Sequence, residues 1–387
     1  MLIDLDATPL PRPGRHPQRK PWKAALALSL VLLLVGSSAV RADGYGPLTT
    51  VAGTDQRASS WLLTTDLLVS AQVVAGNVQV TARTLDGGGV AWSRWIEGDG
   101  AAPVLAEHGP YLIVTFSGVV TLVLDRGTGR VRWEPEGYQF AFAAGDRIAV
   151  WEDGRLGLLD LGARRMVWWQ PFATRVVAAA ATGRYLIVVD EDGVAHARVV
   201  RTGAPVSDTF ERTGDAFVRV TVDDSRLYAL GAGSVTALRL PDLTELWTVP
   251  RAAPSHLTRC GSQICVATTA GLTAIDPFTG AVRWSDIRRT AWTDDGLATT
   301  ADGRVVMLDP DTGRELAEVG RGFPAGDLLL RGDEDRTWVA DWQSGEIRGL
   351  IPGATQVVCE RAGDHLACQG PDGRVRAWRI PRGSPRE

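Results

Sequence analysis

Lysine, cysteine and histidine are scarce in this 387-residue chain. Lys20 and Lys23 are its only lysines, every other basic residue being arginine, a bias that points to a GC-rich coding sequence and not to a function. The four cysteines include no adjacent pair, and none has the two-residue spacing of a zinc ribbon. The five histidines, His16, His108, His196, His256 and His365, form no short-spaced pair. No Ser/His/Asp signature and no phosphate-cradling loop is present. Disorder over most of the length is excluded as well, because the chain is 45% apolar and 22% charged, the composition of an ordinary globular protein.

An excess of positive charge is also missing from the body. The first 23 residues carry five basic groups against Asp4 and Asp6, so they are +3 and the rest, at a total of −4, is −7. That balance excludes the basic footprint of a nucleic-acid binder. The chain has one long uncharged run, Ala24 to Val40, between Lys23 and Arg41. Its 17 residues just suffice to span a bilayer. Basic residues crowd its N-terminal side, so the expected topology is a flexible Pro-rich cytoplasmic tail (1–23), a transmembrane signal anchor (24–40), a linker (41–47) and a body outside the cytoplasm. A signal peptide cleaved ahead of Asp43, which would release the body, is the alternative.

The cysteines agree with export. Cys260 and Cys265 flank a four-residue turn, and Cys359 and Cys368 lie equidistant from Gly363-Asp364. A two-residue hairpin turn there sets Cys359 opposite Cys368. Two local cross-strand disulfides are therefore expected.

A phrase then recurs along the body: Leu124-Asp-Arg-Gly-Thr-Gly-Arg-Val-Arg-Trp133, Ile275-Asp-Pro-Phe-Thr-Gly-Ala-Val-Arg-Trp284 and Leu308-Asp-Pro-Asp-Thr-Gly313. More degenerate copies begin at Leu85, Leu159, Arg198, Leu238, Ala340 and Trp378, at spacings of 32 to 40 residues. Repeats of that length, each read as four short strands, predict an all-β propeller over 48–380, followed by a short tail (381–387). Eight blades are expected, with nine as the alternative. An N-terminal strand at 48–51 would supply the outer strand that the last copy lacks and so close the ring. Within the phrase, Asp125, Asp276 and Asp309 accept backbone N–H groups of the turn, and Gly129, Gly280 and Gly313 adopt positive φ. Trp133, Trp168, Trp247 and Trp284 share one position and are expected to dock in successive blades.

These phrases resemble the repeat of the pyrroloquinoline-quinone (PQQ)-like propeller superfamily over about residues 48 to 380. The superfamily includes quinoprotein dehydrogenases and also cofactor-free scaffolds, such as a propeller lipoprotein that assists outer-membrane protein assembly. The basic tail and apolar run look most like its membrane-anchored members. Quinoprotein dehydrogenases hold PQQ with an adjacent-cysteine disulfide, which this chain lacks. The resemblance therefore implies the fold without cofactor, metal or catalytic residues. The expected function is a non-enzymatic scaffold for a protein or a cell-envelope component; a ligand-binding or catalytic site at the central channel is the alternative. Asp190-Glu-Asp-Gly193 and Asp333-Glu-Asp335 read as solvated turns, Arg331-Gly332-Asp333 as a chance tripeptide, and Trp168-Trp169 with Trp338 and Trp342 as core.

Overall fold

The computed structural model describes residues 46–381, apart from 98–99, 117–118, 135–139, 145–146, 164, 207–209, 211–216, 224, 252, 294–295, 333–335 and 353–357. The basic tail, the apolar run, nearly all of the linker and nearly all of the C-terminal tail lie outside the described residues. So does the expected transmembrane helix. Among the described residues no helix is long and apolar enough to cross a membrane.

The described residues form strands that build nine sheets, eight of four strands and one of three. The first blade comprises Ser60–Leu63, Leu67–Val74, Asn77–Thr84 and Val90–Ile96. The sixth comprises Pro254–Cys260, Gln263–Thr268, Gly271–Ile275 and Val282–Asp286. Between and beyond them lie the second (104–133), third (140–171), fourth (176–199), fifth (217–250), seventh (289–321), eighth (323–352) and ninth (358–379). In each of the first eight the strands are antiparallel neighbours in chain order, running from the innermost to the outermost. The second strand is buried on both faces, so it reads as a continuous apolar run and not as an alternation; Leu186, Ile187, Val188 and Val189 are all fully buried.

The expectation of eight blades is corrected to nine. Each eroded copy of the phrase still belongs to a blade, because apolar strands build the sheet and the phrase only shapes a turn. The Arg198 copy ends the three-stranded fourth blade. There Pro205 and Phe210 stand at the outer edge through bridges Arg198↔Pro205 and Ala195↔Phe210. The Trp378 copy is completed as expected by an N-terminal strand, Thr50–Gly53, which pairs with Val375–Arg379. It starts two residues later than the sequence suggests.

The core is a ring of layers between blades. Apolar clusters fill the nine junctions, from Val69 and Val80 against Leu112 and Leu124 at the first to Ala367 and Ala377 against Leu63 and Leu68 at the last. Cys359 pairs directly with Cys368, at a Cα separation of 4.1 Å, and Cys260 bonds Cys265 across its hairpin.

Candidate functional site

The repeated phrase forms a lock between neighbouring blades. Asp276 Oδ1 accepts the N–H groups of Phe278 and Thr279 at 2.8 and 2.9 Å, while Gly280, at φ +72°, donates its N–H to the Asp276 carbonyl. Asp125 receives Thr128 in the same way, and Asp309 receives Asp311 and Thr312. An arginine seven residues after the aspartate then pairs with it: Arg132 with Asp125, Arg283 with Asp276 and Arg348 with Asp341. Hydrogen bonds from Arg283 and from the turn hold the Asp276 carboxyl down at about 2. Those from Arg132 and Thr128 lower Asp125 as well.

Several of these turns seat the tryptophan of the blade before. The indole N–H of Trp168 donates to Val200 O at 2.8 Å, that of Trp247 to Pro277 O at 3.1 Å and that of Trp284 to Pro310 O at 2.8 Å. The rings lie flat on the phrase glycines: a Cβ at Gly203, Gly280 or Gly313 would sit 2.5 to 2.7 Å from ring atoms. Trp133 packs half-buried between the second and third blades. Sequence reasoning missed Trp92, which makes the same contacts with Arg126 O and Gly129. Its turn is two residues shorter than the others, so Trp92 falls out of register.

The remaining candidates are dispersed. His108, His196, His256 and His365 stand on four different blades. His196 Nε2 is 2.9 Å from Asp190 Oδ2, and Asp190 also accepts Thr174, Asp192 N and Val194 N, so the acidic turn is knit to itself. His365 is buried, and that burial holds its pKa below the usual histidine value. Asp333 to Asp335 lie outside the described residues, and the Asp of the Arg331-Gly332-Asp333 tripeptide with them. Trp168 and Trp169 point into opposite blade junctions, and Trp342 packs between the seventh and eighth blades. Trp338 lies half-buried under the Arg336 guanidinium. Among the described residues no three His, Cys, Asp or Glu side chains gather as a metal group would require.

Two of the concave surfaces among the described residues stand out by their lining. On the innermost strands of the seventh to ninth blades, Phe323, Pro324, Val358 and Cys359 wall a mostly apolar depression of about 280 Å³, with Thr293 and Thr299 at its side. Phe323 is 54% and Val358 48% exposed there.

The second surface lies where the ninth blade meets the first. The outer strand Thr50–Gly53 carries no tryptophan to fill that junction, and residues 54–58 cross it instead. Pairings Ser70↔Thr81↔Ser93 and Gln72↔Gln79↔Trp95 set these residues on one face of the first blade. With Thr54 to Ala58 this face encloses about 280 Å³. Thr81 Oγ1 and Ser93 Oγ are 3.0 Å apart, Gln79 Nε2 donates to Ser93 Oγ at 3.1 Å, Gln72 donates to Gln56, and Arg83 pairs with Asp55. Trp95, in the same row as Gln72 and Gln79, is 56% exposed.

Residues 71–286 match the family described as outer membrane protein assembly factor BamB. No curated protein matches the chain in sequence. Similar solved structures include BamB from Moraxella catarrhalis, at 20% identity over 86% of this chain and 100% of the other, TM-score 0.49. The computationally designed Ika8 protein is 14% identical over 87% and 100%, with TM-score 0.56. Dihydro-heme d1 dehydrogenase NirN in complex with DHE is 16% identical over 86% and 84%, with TM-score 0.51. At such identities the latter two likenesses speak to the fold alone.

Proposed function

Because the chain belongs to the family described as outer membrane protein assembly factor BamB, we propose that it is a protein-binding scaffold, anchored by its N-terminal apolar run and working outside the cytoplasm. The family match over residues 71–286 carries this reading. The apolar depression on the innermost strands supports it, since exposed aromatic and aliphatic side chains in a concavity are what protein partners use as anchors. Two disulfides support an oxidising compartment.

The proposed scaffold works without PQQ. The residues present do not fit that cofactor, because both disulfides bridge hairpins and neither joins adjacent cysteines. No convergent metal group stands among the described residues to favour chemistry in the channel.

Photo-cross-linking from position 323 in intact cells tests the reading. A discrete protein adduct is expected, lost in Val358→Glu, whose charge would face the depression. Absence of any adduct, together with stoichiometric PQQ binding and alcohol oxidation by the purified chain, would overturn it. Intact-mass analysis of the purified chain checks the anchor: an N-terminus at Asp43 means cleavage.

A further inference from the structure

We propose that the cleft between the ninth and first blades binds carbohydrate, with Trp95 as the platform for one sugar ring. A sugar offers an apolar C–H face and an edge of hydroxyls that donate and accept at once. The cleft matches both. Trp95, which borders the enclosed volume through its pairing with Gln79, offers an exposed indole, and the cleft beside it is lined by amides and hydroxyls, Gln72, Gln79, Thr81 and Ser93, each able to donate and accept. These side chains bond to one another at present, so sugar hydroxyls would exchange hydrogen bonds one for one without stranding a polar atom.

Position and charge narrow the ligand. The volume, about 280 Å³, lies just below the range for small-molecule sites, roughly 300–1,000 Å³, which suits one or two sugar rings. Arg83 is matched by Asp55, and the one further charge among the lining residues, Arg57, fits a neutral or singly acidic saccharide better than a multiply charged phosphate or nucleotide. A peptide added as a strand needs a sheet edge, whereas this cleft lies on a sheet face. The cleft exists because the ring closes with an N-terminal strand that brings no indole to the junction. It is a ligand site independent of the protein-binding depression.

The test uses the full chain in a detergent without a sugar headgroup. Calorimetric titration with glucose, mannose, galactose and N-acetylglucosamine, followed by an oligosaccharide array, should find at least one saccharide bound at one site per chain. Trp95→Ala should weaken it by about tenfold or more, Trp95→Phe should retain part of the affinity, and Gln79→Leu should weaken it too. Melting of Trp95→Ala should be unchanged, since the ring is exposed. Failure of every saccharide to bind, or equal binding by Trp95→Ala, would overturn the inference. A protein cross-linked from position 95 with no saccharide bound would also overturn it, giving the cleft to a protein partner. None of these outcomes bears on the position 323 adduct.

Discussion

Trp284 is held from two sides, with its ring on Gly313 and its indole N–H on the Pro310 carbonyl. One blade therefore dictates residue types in the next. Trp284→Ala should destabilise the fold by about 3 kcal/mol, the low end for a lost aromatic because the ring is only half-buried. Gly313→Ala should be damaging for two reasons, its φ of +66° and a Cβ driven to 2.5 Å from the ring. Denaturant unfolding of both variants checks this, and a double variant should cost less than the sum because the two share one contact. Asp276 carries a testable pH dependence. Its pKa, about 2 in the folded chain, lies below the unfolded value of roughly 3.9. The stability it contributes is therefore complete above about pH 4 and is lost as the pH falls toward 2. Asp276→Asn should be less stable at neutral pH and lose less on acidification, as melting curves across that range would reveal.

At the scale of the element, the hairpin disulfides are local fasteners. They close short loops, so each should add only roughly 2 kcal/mol in the chain-entropy account. Peptide mapping without reductant should recover Cys260 with Cys265 and Cys359 with Cys368. Cys260, Cys265 and Cys368 are buried, whereas Cys359 borders the apolar depression. Mild reduction followed by alkylation should accordingly label the Cys359–Cys368 pair first, and equal labelling of both pairs would contradict that difference in access. The fourth strand of the eighth blade shows how an element tolerates erosion. Gly349 stands where the first, second, third, fifth and sixth blades carry tryptophan, and Leu48 from the N-terminal segment fills the gap, so close that a Cβ at Gly349 would meet its side chain at 2.4 Å.

For the whole molecule, residues 46–53 are the clasp. Leu48 fills the eighth blade's outer edge through its bond to Leu350 O, and Thr50–Gly53 completes the ninth. Deleting 46–53 should expose the edge of Val375–Arg379, lower the melting temperature and promote association, because an unpaired strand recruits other chains. Light scattering alongside melting measures both; a monomeric deletion with unchanged melting would refute the clasp.

Repeat, blade and closure were legible in the sequence because each depends on local patterning. An apolar run makes a doubly buried strand wherever it falls, and Asp276 and Gly280 make their turn within five residues. Each of the nine phrases corresponds to a blade, the eroded copies at Arg198, Ala340 and Trp378 included, and the count of eight erred by following the roughly four to eight blades usual for propellers. Trp92 escaped the reading because a shorter turn shifted its spacing, although its lock is the same as that of Trp284. The junction of the ninth and first blades was decided only by tertiary structure. Gln369 donates to Ala58 O and Arg379 pairs with Asp86 across about 300 residues of chain, contacts to which no period in the sequence points. The alternation within each strand sets Gln79 with Thr81, and Ser93 with Trp95, on one face. Whether that face is covered depends on what the adjacent blade brings, and here it brings Thr50–Gly53, a strand of small residues that leaves the ring of Trp95 exposed.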